Sequence, residues 1–471
     1  MKTAILKYRE VTQTSIFKPN YHLNIGKRSL ASLLDKGVGC VPLGSIVQKV
    51  YTGGIFKRVF VKSEKTGIPY ISAQNMMTTN PLKFAKLISR KYTPRQNDMT
   101  LKENAILVSC AGTVGNIRLI DASFKDIIGS QDIIRVIPNS SDYGFIYAYL
   151  SSNVCYNYIQ SLIYGSVVPR IEPNAVANIP VPIFPESKQQ EIHNLIVESA
   201  NLRVEANRLL EEAENNLKSY ANLPLLKTEN YDYFGARSGE RKVSCFSKNI
   251  GQIDATTINA FNHSSRIEET KQLIKKACAT IPLIEVLDDK KLFSTGSFPR
   301  IEVDSERGIM LVNQKDIFDT IIKGKRISRR KVKTDNLVEY GEVLIAGVGT
   351  LGENETFCRA IFANEELQER LVSGEFIRMK TSDKYLSGYL FAWLRSDYGF
   401  RLIRNTQTGT KLCRPIPRLL LQIPVPILSE TQMKEIDELV KKAHTYYHIA
   451  NNKETQAIHL VEQEISLWQQ S

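Results

Sequence analysis

Two short patterns of charged and imidazole side chains are candidates for catalytic or metal chemistry. Glu186, Ser187 and Lys188 have the Glu-x-Lys spacing found in nuclease sites, but they stand where a helix is predicted to begin. A glutamate at that end is favoured by the helix dipole, which explains it without catalysis. His444 and His448 lie four residues apart on a predicted helix and could share a metal ion. No third ligand follows nearby in sequence, so an exposed helix face is the favoured interpretation.

Two glycine-containing loops are candidates for phosphate binding. Residues 112–115 read GTVG and residues 349–352 read GTLG. Neither is followed by the Gly-Lys-Ser/Thr of a nucleotide-binding P-loop, so each is predicted to turn the chain between strands. The alternative is a functional role, in which the small glycine residues let the loop backbone approach DNA closely. The chain also lacks the Asn-Pro-Pro-aromatic motif that a self-contained methyltransferase uses to hold a flipped base. We therefore predict no catalytic site and no metal site.

The composition is that of a globular protein with more than one domain. The chain has 471 residues, of which 42% are hydrophobic and 24% charged, with a formal net charge of +13 and a pI of about 9.2. This positive charge favours a polyanionic partner, nucleic acid before a membrane. No apolar run could span a bilayer, no signal-peptide core develops, and the seven cysteines form no CxxC pair. A reducing cytoplasm is the expected location.

The chain contains an internal repeat of about 240 residues. The pentamer IPVPI occurs at 179–183 and again at 423–427, an offset of 244 positions. Two prolines at alternate positions exclude a helix interior and a central strand, so the pentamer predicts an extended edge or connector. Further matches keep the same order: AILVSCAGTVG (105–115) with EVLIAGVGTLG (342–352), GIPYISAQN (67–75) with GIMLVNQKD (308–316), and YTGG (51–54) with STGS (294–297).

We predict an α+β protein in which two duplicated α/β domains are separated by two long helices forming an antiparallel coiled coil. In each copy, short strand-like runs bounded by Gly and Pro come first, a helical stretch follows, and the Pro-rich connector leads into a long helix. The predicted boundaries are 1–184 for the first domain, 185–222 for the first long helix, 223–428 for the second domain and 429–471 for the second long helix.

Each predicted long helix carries a seam of residues at alternating steps of three and four, typical of coiled-coil packing. The main apolar seam positions are Ile192, Leu195, Leu202 and Leu209 in the first helix, and Ile436, Leu439, Tyr446 and Leu460 in the second. The seams keep the same phase at the repeat offset. This match favours pairing of the two helices over each helix lying on its own domain.

Positive charge is concentrated outside these helices. Each helical stretch, 186–220 and 430–468, holds seven acids and four bases, a net −3, so the rest of the chain must carry +19. The densest basic run, KGKRISRRKVK at 323–333, has seven bases and no acid, and its counterpart is ISRKYTPR at 88–95. The domains rather than the helices are therefore expected to touch phosphate.

Two basic α/β-like domains, each followed by IPVPI and a long heptad helix, resemble the DNA specificity (S) subunit of type I restriction–modification systems, which serve bacterial defence. The resemblance covers nearly the whole chain. Its most specific markers are the stretches 165–192 and 409–436. The second copy departs from the pattern at 430–433 (ETQM), where the Glu-x-x-Gln of 186–189 is not kept.

The resemblance implies two target recognition domains, each reading one half of a split, asymmetric sequence in double-stranded DNA. It also implies that the helices dock two methyltransferase subunits, which bring S-adenosylmethionine, and that a restriction and translocase subunit using ATP and Mg²⁺ joins for cleavage. The chain itself would bind no cofactor, catalyse no reaction and touch no membrane.

Other assignments remain open at this point. A recognition subunit of a type IIB-like enzyme, whose partner fuses methylation and cleavage, fits the same residues. A lone nuclease or methyltransferase would need the motifs that the sequence lacks. A purely structural coiled-coil protein would leave the +19 of the domains unexplained.

Base reading needs Arg, Lys, Asn, Gln, Ser or Thr on loops that can enter the major groove. The candidates in the first copy are Thr52, Lys57, Arg58, Gln74, Asn75, Gln131, Ser166 and Arg170; those in the second are Thr295, Ser297, Arg300, Asn313, Gln314, Lys315, Thr410, Lys411 and Arg414. Most differ between the copies, as expected for different half-sites. Arg90 and Lys91 match Arg329 and Arg330, and because both pairs are basic we assign them to phosphate.

The predicted helix pair would act as a ruler between the half-sites. At about 1.5 Å per residue, the stretch 186–220 is about 52 Å long, which caps the separation at about 15 base pairs. Inserting one heptad between Leu202 and Leu209 should lengthen it by about 10 Å and keep the seam in register. Sequencing of DNA methylated by the assembled complex should then show the same half-sequences with a spacer longer by a few base pairs. A folded, active mutant with the original spacer would contradict the ruler.

Overall fold

The structure is a computed structural model that describes residues 19–124, 126–139, 143–165, 167–226, 246–304 and 307–470. The chain divides into two compact units: unit 1 is Met1–Val204 with Ile449–Ser471, and unit 2 is Glu205–His448. Both units combine helices with sheets, so the predicted α+β class is confirmed. Ser166, one of the candidate DNA-binding residues, lies outside the described residues.

Unit 1 is built on three sheets. Its strands are β1 (Cys40–Pro42), β2 (Val47–Thr52), β3 (Gly67–Ile71), β4 (Lys86–Ser89), β5 (Ile106–Ser109), β6 (Ile117–Leu119), β7 (Ile128–Gly129), β8 (Ile133–Pro138) and β9 (Pro180–Pro182). Their orders are β2-β8-β5-β6, β4-β3-β7 and β1-β9. Strand β5 is buried at every position, which its apolar sequence ILVS permits. Strand β3 is antiparallel to β4 and parallel to β7.

Unit 2 repeats these strand neighbours. Its strands are β10 (Thr280–Pro282), β11 (Ile309–Val312), β12 (Lys325–Ile327), β13 (Val343–Ala346), β14 (Ala360–Phe362), β15 (Leu371–Val372), β16 (Phe376–Met379), β17 (Gln407–Thr408), β18 (Arg414–Pro415) and β19 (Pro424–Pro426). The orders β14-β13-β16, β12-β11-β15 and β10-β19 correspond to β6-β5-β8, β4-β3-β7 and β1-β9 of unit 1, and β17 pairs with β18. The place of β2 is taken in unit 2 by an isolated bridge between Phe293 and Arg378. Strand β11 is antiparallel to β12 and parallel to β15, as β3 is to β4 and β7.

Short helices surround the sheets. In unit 1 they are Pro19–His22, Ile25–Asp35, Leu43–Ile46, Pro81–Phe84, Gln96–Met99, Tyr143–Ser151, Asn153–Ser161 and Pro173–Ala177; in unit 2 they are Ser265–Ala277, Ser387–Arg395, Asp397–Asn405 and Pro417–Leu420. The hydroxyl groups of Ser152 and Ser396, 244 positions apart, cap the third residue of the helices that follow them. Two long helices, Glu186–Tyr220 and Glu430–Gln470, complete the fold, and within the described ranges no helix has the length and apolar character of a membrane span.

The two IPVPI pentamers form the extended edges that the prolines predict. Strand β9 pairs antiparallel with β1, with Cys40 opposite Pro182, and β19 pairs antiparallel with β10, with Thr280 opposite Pro426. Each of these sheets has two strands, so a proline can occupy an outer edge without removing a ladder hydrogen bond. Each pentamer therefore leads from a sheet into a long helix.

A glycine in each unit lets a short helix approach a long helix closely. The Gly144 amide donates a 3.2 Å hydrogen bond to Nδ1 of His193, and the Gly388 amide donates a 2.8 Å hydrogen bond to Oδ1 of Asp437. A Cβ atom at Gly144 would lie 2.8 Å from Cα of His193, and one at Gly388 would lie 3.0 Å from the Asp437 carbonyl oxygen. Both pairs keep the repeat offset, so the same contact holds the same helix in both units.

Within unit 1, the described parts of the two long helices run antiparallel. The ring of Phe184, just before the first long helix, packs on Trp468 near the end of the second, with centroids 4.9 Å apart. Farther along the first helix, the Ser199 hydroxyl donates a 2.8 Å hydrogen bond to the Ala450 carbonyl.

Unit 2 shows the same direction of pairing. The Tyr447 hydroxyl donates a 2.9 Å hydrogen bond to Oδ1 of Asn207, and the Tyr220 hydroxyl lies 2.9 Å from Oε2 of Glu435. Residue numbers therefore rise along the first helix as they fall along the second.

The predicted seam agrees only in part with the residues that the long helices bury. Ile192, Leu209 and Ile436 are buried as the seam requires. The other predicted positions, Leu195, Leu202, Leu439, Tyr446 and Leu460, are half-buried, whereas the residues after them, Ile196, Arg203, Val440, Tyr447 and Val461, are buried. The reason is that each helix packs on its unit as well as on the other helix, which widens the inner face beyond a coiled-coil seam.

A buried ion pair joins the two long helices to the rest of unit 1. Arg203 and Glu454 form a salt bridge with side chains only 6% and 3% exposed. Arg203 also donates a 2.7 Å hydrogen bond to Asn451, and the Tyr147 hydroxyl donates a 2.6 Å hydrogen bond to Glu454. Burial raises the pKa of the Glu454 carboxyl, but the charge of Arg203 and these hydrogen bonds outweigh burial and leave the pKa below its ordinary value.

Replacing Glu454 by Gln should destabilise the protein by about 3–5 kcal/mol, because Arg203 would stay buried without its counter-charge. Urea unfolding at neutral pH measures this loss. Since the carboxyl pKa is lowered in the folded state, the stabilisation is complete above the ordinary carboxyl pKa and is lost as pH falls through the lowered value. Wild type and Glu454→Gln should therefore converge in acid.

The matched control is Tyr447→Phe, at the position of unit 2 that corresponds to Arg203. This variant removes the neutral hydrogen bond to Asn207 and should destabilise by about 1 kcal/mol, with no convergence in acid. If both variants lose the same free energy of unfolding at neutral pH, the buried charge of Arg203 does not contribute to the effect of Glu454→Gln.

Candidate nucleic-acid interface

In each unit, a predicted DNA-contacting turn rests on a buried arginine. In unit 1 the turn is 51–54, and a Cβ atom at Gly53 would lie 3.4 Å from each terminal nitrogen of Arg135 on β8. In unit 2 the turn is 294–297, and Arg378 on β16 donates a 3.5 Å hydrogen bond to Oγ1 of Thr295. Both arginines are 1% exposed, so they support the turns from beneath.

The two buried arginines are compensated differently. Arg378 forms a bidentate salt bridge with Glu342, with both N···O distances at 2.8 Å. Ala105 stands at the position of Glu342 in unit 1, and Arg135 instead donates hydrogen bonds to the carbonyl oxygens of Met99, Gly129, Ser130 and Ile133. Burial lowers the pKa of Arg135. The first turn thus lies over a cation that has carbonyl partners and no carboxylate among the described residues, which favours an anion nearby.

The glycine loops lie beside a second loop in each unit. In unit 1, Ala111 pairs with Arg170, and the Gly112 amide donates a 3.1 Å hydrogen bond to the Pro169 carbonyl. In unit 2, Gly349 pairs with Cys413 and donates to its carbonyl at 3.1 Å. The loops that the sequence presents as separate motifs therefore form one surface, with Arg170 in unit 1 and Arg414 in unit 2 at the adjoining strand positions.

The predicted phosphate contacts lie at the end of an edge strand in both units. Residues 59–61 pair with β4, which leads to Arg90 and Lys91, and residues 301–303 pair with β12, which leads to Arg329 and Arg330. All four side chains are exposed. The Ser328 hydroxyl accepts a 3.5 Å hydrogen bond from the Arg330 amide, which fixes the turn at 329–331. Both units therefore expose a pair of basic side chains directly after corresponding strands, β4 in unit 1 and β12 in unit 2.

The other candidate residues divide by exposure. Exposed are Lys57, Arg58, Gln74, Arg170, Ser297, Arg300, Lys315, Thr410, Lys411 and Arg414; half-buried are Thr52, Asn75, Gln131 and Asn313; buried are Thr295 and Gln314. The exposed set leaves polar groups at the surface of both units, which a DNA-reading residue requires.

The two buried candidates have internal partners, which corrects their expected role. Gln314 is 8% exposed, and its side-chain amide both donates to the Val348 carbonyl at 2.5 Å and accepts from the Val348 amide at 3.1 Å. Thr295 is 4% exposed and bonds Arg378. Their hydrogen bonds hold the neighbouring loops in place. Because both side chains are buried and already hydrogen-bonded, they do not face a ligand.

The two candidate chemical patterns take part in packing and surface ion pairs. Lys188 pairs with Glu191 at 2.8 Å on an exposed helix face. The His444 ring packs between Phe362 and Phe391, with centroids 4.9 and 5.3 Å away, and not on an exposed face as the sequence suggested. Burial, together with the nearby charge of Arg395, lowers the pKa of His444 to about 3. In the described part of the chain, no three His, Cys, Asp or Glu side chains gather as a metal site.

Sequence reasoning missed the two supporting arginines. Arg135 interrupts the apolar strand IIRVIP, and Arg378 interrupts FIRM at the corresponding place. An arginine inside an otherwise apolar strand, repeated in both copies, is the signal that could have identified them, because a buried charge requires compensation.

Comparison with known proteins finds a family model that matches one segment of the chain. Residues 36–214 match the family model described as "Type I restriction modification DNA specificity domain". No curated protein matches the chain in sequence.

Two solved structures are similar over nearly their full length. The type I restriction-modification S subunit from M. genitalium is 14% identical, with 92% of this chain and 93% of that chain covered and a TM-score of 0.32. The HsdS subunit from Thermoanaerobacter tengcongensis is 15% identical, with coverages of 91% and 95% and a TM-score of 0.26.

Mutating Arg329 and Arg330 together to Ala should weaken binding to every DNA sequence and reduce the slope of log K against log salt by about 2, since each phosphate contact contributes about one unit. Titrations of labelled duplexes at several salt concentrations measure both effects. The control is Lys275→Ala with Lys276→Ala, which removes the same charge from exposed positions on the helix Ser265–Ala277 and should keep the slope. Loss of sequence preference with an unchanged salt slope would reject the phosphate assignment.

Proposed function

We propose that this chain, whose residues 36–214 match the model of the type I restriction modification DNA specificity domain, reads a split target in double-stranded DNA, one half with each unit. The observation that carries this proposal is the repeated interface. Both units have the same strand neighbours, the same buried arginine beneath a turn and the same pairing of two loops. Two units with similar folds are suited to binding two half-sites in one DNA target.

The side chains on these scaffolds differ, which supports two different half-sequences. In the exposed loop next to the glycine loop, Val167 of unit 1 stands where unit 2 has Lys411, and Val168 stands where unit 2 has Leu412. Both units keep an exposed arginine there, Arg170 and Arg414. Base edges in the major groove are distinguished by such donors, acceptors and apolar groups, whereas phosphates are not. Two units with the same backbone arrangement but different side chains on their exposed loops therefore favour a DNA target whose two half-sequences differ.

We also propose that the long helices bind partner subunits and leave DNA to the units' loops. Each helical stretch has a net charge of −3, and Glu205, Arg208 and Glu212 form an exposed ion-pair network on the first helix. An acidic, polar surface is poorly suited to phosphate and suited to protein contacts. The proposed partners are two methyltransferase subunits and a restriction and translocase subunit. Those subunits would bind S-adenosylmethionine, ATP and Mg²⁺, while this chain confers the target and performs no catalysis.

The two half-readings can be separated with a matched pair of variants. Arg170→Ala and Arg414→Ala change exposed arginines that correspond at the repeat offset. Selection from a random duplex library should give a split sequence for the wild type, with preference relaxed in one half by Arg170→Ala and in the other half by Arg414→Ala. The expected loss is about 1–3 kcal/mol for a bidentate base contact. Relaxation of the same half by both variants, or an unsplit wild-type sequence, would contradict the proposal.

A further inference from the structure

The guanidinium group of Arg95 lies directly against Gly54 in unit 1. A Cβ atom added at Gly54 would overlap Nη2 of Arg95 and would lie 2.7 Å from its Cζ and 3.2 Å from its Nη1. The space that a side chain at position 54 would fill is therefore occupied by Arg95. Gly54 follows Gly53, the residue under which Arg135 is buried.

The backbone directs Arg95 towards this turn. Its φ is 46°, in the left-handed region that few residues other than glycine adopt. The surrounding turn is held by hydrogen bonds from Nε2 of Gln96 to the carbonyl oxygens of Arg90 and Thr93, at 2.5 and 3.1 Å. The side chain thus leaves a defined turn in a fixed direction, which preorganises it.

Arg95 has donors to offer. The residue is exposed, and among the described residues its guanidinium makes no hydrogen bond or ion pair. Other arginines of the same surface do have internal partners: Arg58 donates to the Tyr70 hydroxyl at 3.1 Å, and Arg90 donates to the Gly67 carbonyl at 3.2 Å. A guanidinium fixed in position with its donors unused is suited to a planar acceptor pair.

Unit 2 lacks both members of this contact. Ser297 stands in the place of Gly54, and no arginine stands in the place of Arg95. Counting from the basic pairs gives Thr334 at that place, and counting from the short helix that follows gives Lys333. Where the arginine is absent, the glycine that makes room for it is absent too. The phosphate-assigned basic pairs, by contrast, occur in both units. The Gly54–Arg95 contact therefore belongs to what distinguishes the units.

We propose that Arg95 is a specificity-determining residue of unit 1 and donates two hydrogen bonds to a guanine in the major groove. The inference rests on the proposed DNA-reading function and names one reader within it. A guanidinium fork matches the O6 and N7 acceptors of guanine, the commonest specific arginine contact. Contact of one end of that fork with Gly54 reduces the side-chain freedom lost on binding. Its restriction to one unit fits a base contact and not a shared phosphate contact.

Two variants change this contact by different routes. Arg95→Lys keeps the charge and removes the fork. Gly54→Ala keeps Arg95 and displaces its guanidinium, which is the flexible end of a side chain and can move without unfolding the unit. Arg28→Lys, at an exposed position of the helix Ile25–Asp35, is the matched control.

The measurement is selection from a random duplex library, followed by affinity and salt titrations on the selected site. The wild type should prefer a G·C pair at one position in the half-site assigned to unit 1. Arg95→Lys and Gly54→Ala should both relax that one position and lower affinity for the selected site by about tenfold to a hundredfold. Binding to unrelated duplex and the salt slope should stay unchanged, and Arg28→Lys should behave as the wild type.

The outcomes separate this inference from the function on which it rests. A wild type without sequence preference would overturn the proposed function and this reader together. A wild type that selects a split site which neither variant alters would overturn the role of Arg95 alone. Equal weakening on all sequences, with a lower salt slope, would make Arg95 a phosphate contact and reject base reading.

Discussion

Burial of guanidinium groups is the constraint on which both units depend. A buried charge must be paired or fully hydrogen-bonded, so the elements that supply its partners are fixed relative to one another. Arg203 and Glu454, with Tyr147, bring together both long helices and a short helix of unit 1. Arg378 does the same between β16 and Thr295 of the turn above it, and Arg135 between β8 and the carbonyl groups of Met99 and Gly129. Hydrophobic packing alone would leave these registers less strictly determined.

The same constraint explains how one scaffold can carry two recognition surfaces. The parts that repeat between the units are structural: strand order, capping serines, the glycines against the long helices, and a buried arginine beneath a turn. The parts that differ are the exposed tips of the loops. Because the tips do not contribute to the core, their side chains can change without disturbing the fold. Arg135 and Arg378 both donate to carbonyl groups, and Arg378 is in addition paired with Glu342.

Sequence patterns were informative wherever the cause is local. Proline chemistry placed the IPVPI pentamers at sheet edges, and the ordered matches led to two units with the same strand neighbours. Heptad counting found both long helices but placed alternate seam positions one residue early. Leu202 precedes Arg203, and a pattern that follows apolar residues passes over a charged residue whose burial depends on a partner on another element.

By itself, the sequence determined the fold class, the repeat, the long helices and the separation of basic domains from acidic helices, because each follows from composition, periodicity or local backbone chemistry. Only the tertiary structure decided which polar side chains face solvent. Thr295 and Gln314 have the right chemistry for DNA yet are buried and hydrogen-bonded to their own unit. Arg95, an ordinary basic residue in sequence, is exposed and lies against Gly54. Exposure depends on contacts between residues far apart in the chain, and no local pattern encodes those contacts.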